Sequence, residues 1–189
     1  MRRKATAPPS PSRSPARCTP SQGPPVPSAE DGIRFHAGEL GSADVQALLA
    51  AHLAGMHAQS PPGSVHALPL EGLRRADVTF FSARDADGQL LGVGALRELD
   101  AGHGEIKSMR TVDEARNRGV GAAMLGHLLR IARERGYGRV SLETGTPEGF
   151  APARRLYERH GFTCCPPFAD YREDPFSCCM TLELDGTSA

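Results

Sequence analysis

Two arginines and two glycines fall within seven residues, Arg116-Asn117-Arg118-Gly119-Val120-Gly121-Ala122, the stretch of this sequence best suited to holding an anion. Glycine at the mouth of a helix lets a ligand approach the backbone where a side chain would stand in the way. The first helical turn leaves N–H groups without intrahelical partners, and the macrodipole makes that end electropositive. A phosphate or pyrophosphate suits such an end. Flanking guanidiniums add charge and forked donors. What the stretch lacks narrows the ligand. The dinucleotide fingerprint needs a small residue three places after its second glycine, where this chain has Met124. The nucleotide P-loop needs a lysine followed by Ser or Thr, and Arg118 to Met124 supplies neither.

The remaining pattern, R-x-x-G-x-G-A after a strand, resembles the acyl-CoA-binding signature of the GNAT superfamily of N-acyltransferases. The run from Gly104 to Leu129, GEIKSMRTVDEARNRGVGAAMLGHLL, is similar to that superfamily's central strand, loop and helix in order. Downstream, Ala153 to Phe162 resembles a second hallmark, A-x-x-L-Y-x-x-x-G-F. The likeness covers roughly Ile33 to Leu184. It extends to His66-Ala67-Leu68 and Pro167-Phe168-Ala169-Asp170-Tyr171, phrases of a bacterial subgroup whose acceptors are mostly unassigned. Asp113 stands where the superfamily commonly has proline, a departure expected to affect a loop and no chemistry.

The resemblance implies an acetyl-CoA-dependent N-acetyltransferase. Its acceptor would be the primary amine of a small molecule, peptide or protein, attacking directly in a ternary complex. It implies a pantetheine contact on Met109, Arg110 and Thr111, with a backbone N–H there for the carbonyl oxygen. The pyrophosphate falls to Arg116, Asn117, Arg118, Gly119, Val120, Gly121 and Ala122. Tyr157 matches the superfamily's tyrosine near the cofactor sulfur, expected to protonate the leaving thiolate; a packing role with Leu156 and Phe162 is the other reading. An alkylammonium of pKa ~10.4 is only about one part in two thousand free base at pH 7, a penalty of roughly 4.6 kcal/mol. A general base is therefore worth having. Glu105 and Glu143, each in an apparent core strand, are the carboxylate candidates, provided burial raises their pKa or water relays the proton. Glu105 shares a strand face with Lys107 two residues on, so simple charge pairing is the competing role. His66, His103 and His160 are lesser candidates, and the base is left unresolved. Two other functions stay open: a non-catalytic acyl-CoA-binding regulator of the same fold, and an unrelated nucleotide-binding module.

The elements that must position these groups follow from periodicity. Ile33–Ala37 reads as a strand, and Ser42 caps a helix to about His57 with Val45, Leu48, Leu49, Leu53 and Met56 on its apolar side. A long irregular connection runs from Ser60 to Asp77. Val78–Ala83 and Leu90–Leu99 form a hairpin, and His103–Thr111 is a third strand. The helix from Gly119 carries Val120, Met124, Leu125, Leu128, Leu129 and Ile131 in one stripe and ends at Gly136. Strand 139–144, helix 152–160 and strands near 162–165 and 177–184 complete an α+β domain, a mixed, mainly antiparallel sheet flanked by helices. The resemblance adds that strand 139–144 splays from the central strand to seat the pantetheine arm.

Composition sets bounds. The first thirty residues hold eight prolines, five serines and five basic residues, with Glu30 the only acid. Such a stretch buries too little to offset its ordering entropy, so 1–31 reads as a disordered tail and 32–186 as one domain. The chain has 22 basic and 22 acidic residues; past residue 30 the balance is 17 to 21, mildly acidic, which argues against nucleic acid as a partner. No apolar run spans a bilayer and the tail lacks a secretory core, so a cytoplasmic protein without membrane attachment is expected. The five cysteines, Cys18, Cys164, Cys165, Cys178 and Cys179, do not form a secreted disulfide pattern, nor a zinc cage, and no metal is expected. The two pairs are expected on neighbouring strands, with one member of each pair able to pack inward. Residues 166–174 read as an acceptor-pocket rim, a solvated loop or a homodimer contact.

Overall fold

A computed structural model describes residues 32–61 and 66–184. The tail expected over 1–31 lies outside the described residues. Among the described residues seven strands form one sheet: β1 (Arg34–Ala37), β2 (Val78–Arg84), β3 (Leu90–Asp100), β4 (His103–Thr111), β5 (Arg139–Gly145), β6 (Thr163–Cys165) and β7 (Ser177–Glu183). Their order is β1-β2-β3-β4-β5-β7-β6, and only β4 and β5 run parallel. The helices are α1 (Ala43–Gln59), α2 (Leu70–Leu73), α3 (Val120–Glu134) and α4 (Ala151–Arg159). The chain forms the expected mixed, mainly antiparallel sheet with flanking helices.

Turn chemistry fixes the early meander. Asp85 Oδ1 accepts from the backbone N–H of Asp87 and of Gln89, and Gly88 takes a φ of 82° that side chains disfavour. The α3 stripe docks on β3 and β4, burying Val120, Met124, Leu125, Leu128 and Leu129, each worth about 1.5–3 kcal/mol. Close approach there depends on glycine. A Cβ on Gly94 would stand 3.0 Å from Met124 Cγ, and one on Gly104 would stand 2.7 Å from the Tyr137 ring. The Tyr137 hydroxyl donates to Glu98 at 2.9 Å, so the ring is pinned. Gly104→Val is therefore expected to cost about 1–3 kcal/mol and lower the thermal midpoint by about 2–10 °C. An unchanged midpoint in calorimetry would mean the ring moves aside freely.

On the opposite face Val45 of α1 and Leu73 of α2 pack with Phe80, Val93 and Ala95 of the sheet. Three expectations are corrected here. The connection before Asp77 contains the short helix α2. Ser42 holds the N-cap position but makes no cap bond; its hydroxyl donates to Asp44, whose carboxylate accepts the Val45 N–H at 2.8 Å. A charged acceptor is the better partner for that N–H, so the aspartate takes it. Of the paired cysteines, which do lie on adjacent strands, only Cys179 is buried; neither Cys164 nor Cys165 is, because β6 is the sheet's edge.

The central feature is where the sheet divides. β4 pairs with β5 only from His103–Ile106 against Arg139–Leu142. Beyond that point β4 stays with β3 as far as Thr111, and β5 stays with β7 as far as Gly145. A register shift lies between Val93↔Arg110 and Ala95↔Lys107, with Ser108 at a φ of 52°. Such a bulge bends the strand and increases its twist. The edge of β4 that faces β5 thus loses its strand partner from Lys107 onward.

Candidate active site

The divided sheet opens a cleft of about 710 Å³ lined from β4, α3 and α4, with α1 contributing His52, Gly55, Met56 and Gln59. Met109, Arg110, Thr111, Arg116, Asn117, Gly119, Val120, Gly121 and Ala122 all line it. Arg118 does not; it is exposed. Gly119 precedes α3 with a φ of 83°, and Asn117 is also left-handed, at 59°. The first intrahelical bond at this end is Ala123 N–H to Gly119 O at 2.9 Å. The N–H groups of Val120, Gly121 and Ala122 therefore have no acceptor within the helix. Gly121 has a packing reason as well, since a Cβ there would stand 3.3 Å from Leu156 on α4. Open N–H groups, a helix dipole and nearby guanidiniums fit a diphosphate.

A second recess, about 90 Å³, lies beside the cleft and is lined by His66, Lys107, Ser108, Glu143 and Thr144 among others. His52, Met56, Met109, Phe150, Ala153 and Tyr157 line both cavities and so mark their junction. Tyr157 is 7% exposed, and its hydroxyl has no hydrogen-bond partner among the described residues. Burial, with the charge of Glu143 added, pushes its phenol up to about 12. It also packs on Phe162, ring centroids 5.8 Å apart, so the packing role is real.

Glu143 is half-buried on β5, past the point where β4 departs. Burial pushes its carboxyl up to about 7, against the opposing pull of Lys107 and a hydrogen bond from Ser177. A carboxylate with that pKa can take a proton at neutral pH, which an ordinary glutamate does poorly. Glu105 is placed differently. It is fully buried and lines neither cavity. The Tyr171 hydroxyl donates to its Oε1 at 2.5 Å, Lys107 Nζ lies 3.2 Å from the same oxygen, and Arg97 lies 3.5 Å from Oε2. Lys107 also donates to the His66 carbonyl at 3.0 Å and to the Tyr171 hydroxyl. These contacts give Glu105 the pairing role; it lines neither cavity, although its charge is among those that raise the Glu143 carboxyl.

The lesser histidines separate too. His103 is buried, with Nε2 2.8 Å from the Ser141 hydroxyl, and His160 Nδ1 sits 2.8 Å from the Leu156 carbonyl at the end of α4. Neither lines the cleft or the recess. His66 lines the recess, its pKa lowered first by burial and then by Lys107. His52 went unnoticed in the sequence. Burial and the Arg110 charge lower its pKa to about 4, so it stands as a neutral imidazole at the junction. Its signal was its spacing of four from Met56, which puts both on one face of α1. The 166–174 segment contributes Tyr171, whose ring meets His66 edge-on at 5.1 Å and so backs the recess.

Among the described residues no group of three or more His, Cys, Asp or Glu could hold a metal, and no helix is long and apolar enough to cross a membrane.

The model of the acetyltransferase (GNAT) family matches residues 46–162. The uncharacterized N-acetyltransferase YsnE of Bacillus subtilis is 51% identical over 146 residues, which is 77% of this chain and 96% of that protein. A Klebsiella pneumoniae structure described as an acyl-CoA N-acyltransferase shares 28% identity and a TM-score of 0.65, covering 80% of this chain and 97% of that one. A GNAT family acetyltransferase of Elizabethkingia anophelis, solved with acetyl-CoA bound, has the same fold: TM-score 0.60, 19% identity, 82% of this chain and 99% of that one.

Proposed function

Because this chain belongs to the GNAT acetyltransferase family, we propose that it transfers an acetyl group from acetyl-CoA to a primary amine, of a small molecule, a peptide or a protein, by direct attack in a ternary complex. The observation that carries this reading is the junction. Tyr157 lines both cavities, and Glu143 lines the smaller one, on the strand that leaves β4. When bound, acetyl-CoA supplies an activated thioester carbonyl. The free N–H groups of Val120, Gly121 and Ala122, with Arg116 beside them, hold its diphosphate. The unpartnered edge of β4 at Met109–Thr111 holds the pantetheine arm and offers an N–H to the carbonyl oxygen.

Glu143 takes the proton from the incoming ammonium, directly or through water; transfer from a pKa of ~10.4 to one of about 7 is still uphill by roughly 4.6 kcal/mol, so the neutral amine is consumed by attack as it forms. The Tyr157 hydroxyl gives a proton toward the departing sulfur. Glu105 acts at one remove: it fixes Lys107 and Tyr171, which form part of the recess and its backing. The test is a steady-state rate survey over amines with acetyl-CoA. Lines that intersect when both substrates vary support a ternary complex. A parallel pattern, which marks a covalent acetyl-enzyme, would overturn it.

A further inference from the structure

We propose that Asp113 is a built-in competitor of the ligand at the anion site, holding Arg110 and Arg116, two of the three arginines that line the cleft, together until a phosphate replaces it. A single oxygen carries the observation. Asp113 Oδ1 lies 2.6 Å from Arg116 Nη2 and accepts a hydrogen bond from Arg110 Nη2 at 3.1 Å. Arg110 and Arg116 both line the large cleft, beside the open N–H groups that begin α3. One anionic oxygen bridging two guanidiniums is what a non-bridging phosphate oxygen would do there.

The aspartate is positioned by the chain's own turn. Val112 follows β4, Asp113–Ala115 forms one 3-10 turn, and Arg116 N–H closes it on the Asp113 carbonyl at 3.3 Å. Arg116 thus lies one turn after the carboxylate, and Arg110 three residues before it, on the strand. Arg110 Nε is buried without a hydrogen-bond partner, so this guanidinium still has an unspent donor. The Asp113 side chain is 65% exposed and that of Arg116 49%. Exposed ion pairs of this kind contribute little to stability and exchange readily. The carboxylate keeps both arginines collected, and it also opposes any second anion brought to the same place. On this proposal Asp113, expected to affect only a loop, also acts at the anion site.

The inference rests on the acetyl-CoA reading of the cleft. Full-length wild type and Asp113→Asn would be titrated by calorimetry with acetyl-CoA and with S-acetylpantetheine, which lacks phosphates. Asparagine keeps the shape and one acceptor oxygen but removes the charge. Acetyl-CoA is expected to bind the variant about 3–10-fold more tightly at low salt, with the gain falling below about twofold near 0.5 M salt. S-acetylpantetheine affinity is expected to be the same for both proteins. Wild-type binding of acetyl-CoA with unchanged or weaker binding by the variant would overturn the competitor role alone. A gain shared equally by S-acetylpantetheine would overturn it too, pointing to a rearranged loop. Failure of both proteins to bind acetyl-CoA would overturn the cofactor reading and this inference with it.

Discussion

Glu143→Gln is expected to lower kcat/KM by about 10²–10⁴-fold at neutral pH while leaving acetyl-CoA affinity within about twofold. The glutamine is isosteric and cannot take a proton. The pH dependence separates this from a packing fault. With the carboxyl at about 7, the wild-type rate should rise about tenfold per pH unit below that value and flatten above it. The variant should lose this limb and keep only the one set by the acceptor amine. Stability gives an opposite sign. A carboxyl whose folded pKa lies above its unfolded value binds the proton more tightly when folded, so it costs stability as pH rises from about 4.5 through 7. Glu143→Gln should therefore unfold at a higher temperature than wild type at pH 8, with the gain from this source gone at pH 4. A variant that is both slow and less stable at pH 8 would point to disrupted packing. If kcat/KM and its acidic limb survived intact, the base would have to be sought elsewhere.

Tyr157→Phe is expected to reduce kcat by about 10²-fold with little change in the KM for either substrate. The phenol has no hydrogen-bond partner among the described residues, so removing its oxygen strands no donor and should barely move the thermal midpoint. The ring contact with Phe162 survives in phenylalanine. Loss of turnover with preserved stability and binding would show that the oxygen serves the reaction. A variant as fast as wild type would leave Tyr157 only its packing role.

How much of this could be read in the residues differs from element to element. The α3 stripe and the α4 hallmark were legible because both are local patterns: Val120, Met124 and Leu128 recur at helical spacing, and Leu156-Tyr157 follow a strand at fixed distance. Gly119 and Gly136 marked the ends of α3, and both have positive φ. The advantage of Glu143 over Glu105 was not legible, since period-two alternation says which face a residue shares and nothing about what covers that face. Glu105 lies opposite Ser141 where β4 and β5 still pair, whereas Glu143 lies beyond the pairing, at the opening. That difference is made by the sheet's division, a tertiary event. Lys107 as a partner of Glu105 was readable at a separation of two. Tyr171, 66 residues from Glu105, was not. His52 was obscured in a helix with a weak apolar face, and Asp113 by a family habit that carried no information about its neighbours.

The most direct test is a crystal structure of the wild-type protein soaked with acetyl-CoA and an unreactive amine analogue. Diphosphate oxygens should lie within about 3 Å of the Val120, Gly121 and Ala122 N–H groups. The thioester should lie between Met109 and Tyr157, and the amine should be within reach of Glu143, directly or through one water. Acetyl-CoA bound away from the divided strands, or an amine closer to Glu105 than to Glu143, would contradict the proposed site.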